Sequence, residues 1–354
     1  MLNFAVGPVM MDEIVLNIGN QQIPYFRTEE FSAITLECEN ILVGLANAPE
    51  MSRVIFLTGS GTAAMEAAVM NSLGQNDKIL VVNGGSFGAR FSKLCEIHGL
   101  VFEEIKLDYF EPLREDHLVP FDGKGFTAML VNCHETSTGV LYDMELIKRF
   151  CETNRIFLIV DAISSFLADP YSMKDSGANI TILSSQKALA LPPGMSYIIA
   201  DDKAQQRIQE NAVQSLYFDL KNYLLDGQRG QTPYTPAVSI MTQLHARLKK
   251  IERRGVSGVI QDVAIIAEDF RKRIVGLPFE IASPNLSNAL TPLKTLGEPN
   301  ADVVVRGLKD DYGIFVLPSG GNLSKSLFRV GHIGNISIED NIVLIDALKS
   351  INLR

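Results

Sequence analysis

The chain has 354 residues, a length that suits a large domain with a smaller one attached. Hydrophobic residues make up 46% and charged residues 21%, which argues against a mainly disordered chain because this much apolar surface can offset the entropy of folding. The formal net charge of −9 disfavours a nucleic-acid partner, since phosphate neutralisation needs a broad basic surface.

From residue 53 to about residue 200, short β-branched runs alternate with helical patterns. Helices are predicted at 63–73, 87–98 and 143–153. Strands are predicted at 53–58, 78–82, 101–106, 127–132 and 156–160, with two more near Ile180 and Tyr197. Continuous apolar strands separated by helices are typical of a mostly parallel sheet covered on both faces. The sequence therefore predicts an α/β fold.

After residue 201 the pattern becomes mainly helical, with long periodic stretches at 237–254 and 256–275. Shorter strands and helices follow, and the last predicted helix covers 338–348. We therefore expect a large domain over 16–250 and a smaller α+β domain over 251–354.

Targeting and metal-binding signals are weak in this sequence. No segment reaches the ~18 uninterrupted apolar residues of a membrane span, and residues 1–13 lack the early cations of a secretory or transit peptide. The cysteines form no C-x-x-C motif, so we expect free buried thiols, no metal site and a cytoplasmic location; they are Cys38, Cys95, Cys133 and Cys151.

The strand at 53–58 leads directly into Thr58-Gly59-Ser60-Gly61-Thr62, where a helix begins. Glycines let the backbone approach an anion, and the free N–H groups of a helix start favour a phosphate. The spacing also fits a dinucleotide fingerprint, but the acid expected after the next strand is missing from 82–85. A phosphate site is thus favoured over a dinucleotide site, and a plain tight turn is the remaining alternative.

Two further candidates follow buried strands, namely Asp161 after 156–160 and Lys187 after Ile182-Leu183-Ser184-Ser185-Gln186. Alone, the acid could cap a helix and the lysine could be solvated. Together with the predicted phosphate site at 58–62, they are what pyridoxal 5′-phosphate requires. The cofactor needs an amine for covalent attachment and an acid that keeps the pyridine nitrogen protonated. Phe87, on the loop after the next strand, could stack on the ring.

Five motifs in order give the chain a family resemblance. It resembles the class V aminotransferases of pyridoxal phosphate fold type I, in the branch of alanine–glyoxylate, serine–pyruvate and 2-aminoethylphosphonate–pyruvate aminotransferases. The motifs lie at 59–62, 83–90, 134–139, 160–165 and 184–187. This resemblance implies a large domain with a seven-stranded, mostly parallel sheet flanked by helices, and a smaller α+β C-terminal domain.

The resemblance also implies roles for individual residues. Lys187 would be the Schiff-base lysine and Asp161 the partner of the pyridinium nitrogen. Ser137 would lie near the ring substituents, and Phe87 and Ile163 would pack on opposite faces of the ring. Many relatives have a tryptophan at the position of Phe87. The phosphate would be held by Ser60, Gly61, Thr62 and Gln186.

Three more segments resemble parts of the family that touch the substrate or a second subunit. Arg329, in Phe328-Arg329-Val330-Gly331-His332, would grip the substrate carboxylate, and could equally face a phosphonate. Thr235 would reach the cofactor phosphate of the neighbour in a homodimer. Gly7 lies in the N-terminal segment 1–15, which would line the substrate pocket.

The function implied is an aminotransferase that moves an amino group from a small donor to an oxo-acid such as pyruvate or glyoxylate. One alternative is a 2-aminoethylphosphonate–pyruvate transaminase, and another is a nucleotide-binding protein without pyridoxal phosphate chemistry. A cysteine desulfurase is disfavoured because no cysteine follows Cys151.

Overall fold

The computed structural model of the chain describes residues 1–352, whose strands form three sheets. The strands are β1 (Leu2–Phe4), β2 (Arg53–Thr58), β3 (Lys78–Asn83), β4 (Val101–Lys106), β5 (Ala128–Asn132), β6 (His134–Glu135), β7 (Val140–Leu141), β8 (Phe157–Asp161), β9 (Ile180–Ser184), β10 (Met195–Ala200), β11 (Phe279–Ile281), β12 (Leu290–Thr295), β13 (Ile314–Pro318) and β14 (Leu327–Gly331).

Helices surround these sheets, and none of those in residues 1–352 is both long and apolar enough to cross a membrane. They are α1 (Glu13–Gly19), α2 (Glu29–Leu45), α3 (Gly61–Ser72), α4 (Gly88–Ile97), α5 (Glu115–Leu118), α6 (Met144–Asn154), α7 (Met173–Ser176), α8 (Asp202–Glu210), α9 (Leu220–Gly227), α10 (Val238–Arg254), α11 (Val256–Arg273), α12 (Ala301–Tyr312) and α13 (Ile338–Asn352).

The main sheet has seven strands in the order β2-β10-β9-β8-β5-β3-β4. Strands β4, β3, β5, β8 and β9 run parallel, whereas β10 is antiparallel to both of its neighbours. The predicted α/β fold with a mostly parallel sheet is therefore confirmed.

Both faces of the inner strands β5, β8 and β9 are buried, as their continuous apolar sequences predict. Along β8, Leu158 and Val160 pack with α2 and α10 on one face, while Phe157 and Ile159 pack with α3 and α4 on the other. Successive side chains of a strand point to opposite faces, so each β-branched or aliphatic residue enters one of two cores. A fully buried aliphatic side chain contributes about 1.5–3 kcal/mol, so these two layers together stabilise the sheet.

Parallel strands bring their carboxyl ends to one edge of the sheet. Asn132 of β5 lies opposite Asp161 of β8, and Asp161 pairs in turn with Ile182 of β9. Thr58, at the end of β2, lies opposite Met195 of β10 at the same edge. Helix α3 begins directly after β2, so its N-terminus opens onto this edge.

A smaller five-stranded sheet has the order β1-β13-β14-β12-β11 and its own apolar core, to which Phe4 and Phe270 belong. Strand β1 joins it by pairing in parallel with β13. Within α11, Val263 still packs in a core of the main sheet, whereas Phe270 packs in the core of the small sheet. The division into 1–15, 16–250 and 251–354 stays a prediction.

Candidate active site

The start of helix α3 forms an open cup. Ser60 occupies the N-cap in an extended conformation, and its exposed hydroxyl makes no capping hydrogen bond. A Cβ at Gly61 would come 2.5 Å from Cδ1 of Ile163, so a side chain there would fill the space between the two elements. Free N–H groups, a free hydroxyl and the positive end of the helix dipole together suit an anion such as a phosphate.

Asp161 lies at the end of β8, where 6% of its surface is exposed. Its Oδ1 accepts from the backbone N–H of Ile163 at 2.8 Å, and its Oδ2 accepts from Nδ2 of Asn132 at 2.9 Å. Burial raises the pKa of this carboxyl to about 6, although both hydrogen bonds and the Lys187 charge oppose the shift. A buried carboxylate of this kind suits a cationic partner such as a protonated ring nitrogen.

Lys187 lies in the turn after β9, which is fixed by hydrogen bonds from Ala190 N to Lys187 O at 2.7 Å and from Leu191 N to Ser185 O at 3.0 Å. Burial lowers the pKa of its amine to about 8, and the positive charges of Arg329 and Arg90 lower it further, while Asp161 opposes the shift. The amine therefore loses its proton more readily than an exposed lysine, as a nucleophile or base requires.

Gly7 lies against this lysine. A Cβ at Gly7 would come 3.1 Å from Lys187 Nζ and 2.9 Å from its Cδ, and the backbone φ there is +156°. The neighbouring segment is held by a hydrogen bond from Val9 N to Gln186 O at 3.3 Å. The N-terminal segment thus passes directly beside the reactive amine, and a glycine leaves room for it.

Glu135, which the sequence interpretation gave no role, organises the loop that carries Phe87. It is fully buried, and its carboxylate accepts from the N–H groups of Phe87 at 3.2 Å and Gly88 at 2.9 Å. It also accepts from the hydroxyl of Ser137 at 2.5 Å. A Cβ at Gly85 would come 2.6 Å from Glu135 Cδ, so the loop closes tightly over the carboxylate.

Arg329 points from β14 toward the same region. Its Nη1 donates to the carbonyl of Thr136 at 2.9 Å and its Nη2 to the carbonyl of Pro318 at 2.7 Å. Its Nε is buried and has no hydrogen-bond partner among the described residues. Burial lowers the pKa of the guanidinium to about 10, so it stays charged at neutral pH. The remaining N–H groups are available for an anion.

Two of the predicted phosphate ligands, Gln186 and Thr235, lie outside the start of helix α3. Gln186 is half-buried, and its Oε1 accepts from Ser184 Oγ at 2.5 Å, which leaves its amide N–H groups for another partner. Thr235 is exposed, on the segment whose Ala237 N donates to Thr58 Oγ1 at 3.0 Å.

Comparison with known proteins accords with this arrangement. Residues 21–282 match the family described as aminotransferase class-V. The chain belongs to that family. The soluble hydrogenase 42 kDa subunit of Anabaena cylindrica is 30% identical to this class-V aminotransferase, over 98% of the chain and 92% of that protein. The L-aspartate–glyoxylate aminotransferase of Paracoccus denitrificans is 26% identical, over 81% of the chain and 74% of that protein.

Among solved structures, the alanine–glyoxylate aminotransferase of Nostoc sp. superposes with a TM-score of 0.93 at 23% identity, covering 100% of this chain and 95% of that one. Its likeness shows the fold, which is that of pyridoxal phosphate fold type I. Because it belongs to the class-V family, the chain is a transaminase whose cofactor is pyridoxal 5′-phosphate.

The residues at the sheet edge fit this cofactor. Among residues 1–352, Lys187 is the cation whose charge acts on the buried carboxylate of Asp161. The hydroxyl of Ser60 makes no capping hydrogen bond. Lys187 follows β9, which lies between β2 and β8 in the main sheet. Phe87 and Ile163 supply apolar surface at the same edge and are half-exposed.

Proposed function

We propose that this aminotransferase transfers the amino group of a small amino acid to an oxo-acid such as glyoxylate or pyruvate. The observation that carries the proposal is the position of Arg329. Its half-buried guanidinium is oriented by two carbonyls and lies near enough to Lys187 to lower the pKa of that amine. A cation beside the reactive amine suits substrates that carry an α-carboxylate next to the amino or oxo group.

In this proposal Lys187, Asp161 and Arg329 have distinct tasks. The bound cofactor supplies an electron-withdrawing ring conjugated to the substrate nitrogen. Lys187 Nζ takes the proton from the substrate Cα as a general base and returns it as a general acid, which its lowered pKa assists. The Asp161 carboxylate keeps the ring nitrogen protonated, and Arg329 orients the carboxylate.

The proposed cofactor contacts follow the same edge. Ser60, Gly61, Thr62 and Gln186 would hold the phosphate, Phe87 and Ile163 would pack against the ring, and Ser137 would lie near its substituents. Gly7 would border the substrate space beside Lys187. The name of the Anabaena relative describes a hydrogenase subunit, whereas the lysine, aspartate and arginine of this site support amino transfer.

We also propose a homodimer in which Thr235 reaches the partner's cofactor phosphate. The exposed position of Thr235, beside stacked Tyr217 and Tyr234 rings 5.3 Å apart, supports a surface made for a second copy. A cytoplasmic location is proposed as well, because the four cysteines are free and buried, as expected in a reducing compartment.

A half-reaction panel tests the function. The cofactor-loaded enzyme is mixed with single amino donors, among them alanine, serine, aspartate and 2-aminoethylphosphonate, and the visible absorbance of the cofactor is followed. We expect conversion with an α-amino acid and reversal by glyoxylate or pyruvate. Conversion by the aminophosphonate alone would favour the phosphonate alternative, and conversion by none of the donors would contradict the proposal.

Lys187→Ala is the matched negative variant in this panel. It should lose the visible band of covalently bound cofactor and show no conversion. Lys174→Ala, which removes an exposed lysine, should behave like the unmodified enzyme. An unchanged band in Lys187→Ala would remove Lys187 from its proposed role.

A further inference from the structure

Arg90 connects two parts of the cofactor site, and neither the sequence motifs nor the family assignment gives it a role. It lies in the first turn of α4 and is half-buried. Its Nη1 donates to Oγ1 of Thr62 at 3.0 Å, and its guanidinium carbon lies 4.7 Å from the centre of the Phe87 ring. One side chain thus contacts both a residue of the phosphate cup and the aromatic residue of the ring site.

The contact between Arg90 and Thr62 matters because the proposed phosphate ligands themselves carry no charge. Ser60, Gly61, Thr62 and Gln186 are all uncharged, whereas a phosphate monoester carries a charge of about −1.5 to −2 near pH 7. Among the hydrogen bonds described for residues 1–352, the one from Arg90 is the cationic contact that this cup receives. A helix dipole supplies only about half a unit charge, so a full positive charge beside the cup changes its balance substantially.

In the hydrogen bond between Arg90 and Thr62, the arginine is the donor and the hydroxyl is the acceptor. The hydroxyl accepts its hydrogen bond from Arg90, so its own proton is free to be donated. A hydroxyl that accepts from a cation is polarised and becomes a stronger donor, because hydrogen bonds in a chain reinforce one another. Its proton is therefore well suited to a phosphate oxygen at the start of α3.

The charge of Arg90 also acts on the amine of Lys187. This positive charge is among the influences that lower the pKa of Lys187. The guanidinium is thus close enough to the cleft to act on charged groups within it, and it is not a cation confined to the outer surface.

We propose that Arg90 is the cation that recognises the cofactor phosphate, acting through the hydroxyl of Thr62. The guanidinium supplies the charge that the neutral cup lacks, and its stacking on Phe87 keeps it in position. The proposal rests on the placement of the phosphate at Ser60, Gly61 and Thr62 proposed above.

The test compares two ligands that differ only in the phosphate. Dissociation constants of the cofactor-free enzyme are measured for pyridoxal 5′-phosphate and for pyridoxal, in Arg90→Gln, Arg90→Lys and the unmodified protein. Arg90→Gln should weaken pyridoxal 5′-phosphate binding about ten- to a hundredfold, as expected for a charge-assisted hydrogen bond, and leave pyridoxal binding unchanged. Arg149→Gln, which removes an exposed arginine on α6, serves as the control.

The pattern of losses separates the explanations. An equal loss for both ligands would show that Arg90 acts only by holding Phe87, and no loss for either would show that it has no role; both outcomes overturn the proposal. Arg90→Lys keeps the charge without the planar fork and should retain part of the preference for the phosphorylated ligand. If Arg90→Gln does not fold, Arg90→Met decides, because it keeps a long side chain without the charge. The preference for the phosphorylated ligand must then fall, and an unchanged preference overturns the proposal.

Thr62→Val separates a failure of the proposed role of Arg90 from a failure of the proposed phosphate position at Ser60, Gly61 and Thr62. If Thr62→Val loses preference for the phosphorylated ligand and Arg90→Gln does not, the phosphate placement stands and the role of Arg90 fails. If neither Thr62→Val nor Ser60→Ala affects that preference, the placement itself is wrong.

Discussion

Arg329 donates to the backbone carbonyl of Thr136 at 2.9 Å, which joins strand β14 of the small sheet to the loop that carries Ser137. The same guanidinium donates to the carbonyl of Pro318 at the end of β13. The side chain proposed to bind the substrate carboxylate thus also links the two sheets. Because two carbonyls already fix the plane of the guanidinium, little reorganisation is needed when an anion binds.

Replacing this arginine should damage the site without removing its charge. Arg329→Lys keeps a cation but cannot donate to both carbonyls and to a carboxylate in one plane. We expect kcat/KM for α-amino acids to fall at least about a hundredfold, measured under steady-state conditions with the donor identified above. Arg306→Lys, at an exposed position of α12, should leave kcat/KM unchanged. A variant as active as the unmodified enzyme would show that the carboxylate binds elsewhere.

Asp161 should cost the cofactor-free protein stability at neutral pH. Burial raises its pKa from 3.8 to about 6, so the folded protein holds a proton that the unfolded chain releases between these values. This contribution to stability is fully present below pH 3.8 and is lost as the pH rises through 6. Asp161→Asn should therefore remove a pH dependence of about 1–3 kcal/mol from the free energy of unfolding.

Urea unfolding of the cofactor-free proteins at several pH values between 4 and 7 measures this difference. The same substitution should weaken cofactor binding, because an amide cannot hold the ring nitrogen protonated. Identical pH profiles for the two proteins would mean that Asp161 does not titrate in the range expected from its burial. Asp302→Asn, at a partly exposed carboxylate of α12, is the control.

Glu135 should influence the cofactor through the loop at 85–88. Glu135→Gln replaces one acceptor oxygen by an amide that faces the N–H groups of Phe87 and Gly88, so the loop loses its anchor. An unsatisfied buried donor costs about 1–3 kcal/mol, so stability and cofactor affinity should both fall. The visible circular dichroism of the bound cofactor should change too, because Phe87 loses its fixed orientation.

Glu280→Gln, at an exposed position of β11, is the matched control for this substitution. Glu135→Asp should restore part of the signal, since it keeps the charge but is too short to reach every donor. A variant with lower stability and an unchanged dichroic spectrum would give Glu135 a structural role alone.

A complementation experiment tests the sharing of Thr235. Each site of the proposed dimer takes Lys187 from one chain and Thr235 from the other. Mixed dimers of Lys187→Ala and Thr235→Ala should therefore contain one site with both residues intact, and the cofactor affinity of that site should be normal. Thr235→Ala alone should bind the cofactor about ten- to a hundredfold more weakly.

The mixed dimer gives a clear contrary result as well. If Thr235 serves its own chain, the single lysine-containing site of the mixed dimer also lacks Thr235, and its affinity stays low. Sedimentation that finds a fully active monomer at assay concentration would equally contradict the shared site.

Much of the large sheet could be predicted from the sequence. The predicted strands at 53–58 and 101–106 coincide with β2 and β4. Helix α3 begins at Gly61 and not at Ala63, because Ser60 takes the N-cap. Helix α2 was not predicted, although Thr28 caps it and Glu29 and Glu30 lie in its first turn.

The contacts within the site could be predicted only in part. Lys187 and Asp161 follow strands whose ends must meet, so their proximity follows from the topology. Glu135 accepts hydrogen bonds from backbone N–H groups of the loop at 85–88, and no sequence pattern around Glu135 or in that loop predicts this contact. A weak signal existed in Gly85, because the absence of a side chain there allows the loop to approach Glu135 closely.

The pairing of β1 with β13 has a consequence for the order in which the molecule is made. All seven strands of the main sheet lie before residue 201, so that sheet can assemble while later parts of the chain are still being synthesised. Strand β1 must wait until residues 314–318 have left the ribosome, and Gly7 reaches its final place beside Lys187 only then. Strand β1 and the segment with Gly7 thus precede the main sheet in the chain but are seated after it, and this side of the cleft is completed only once β13 is available for pairing.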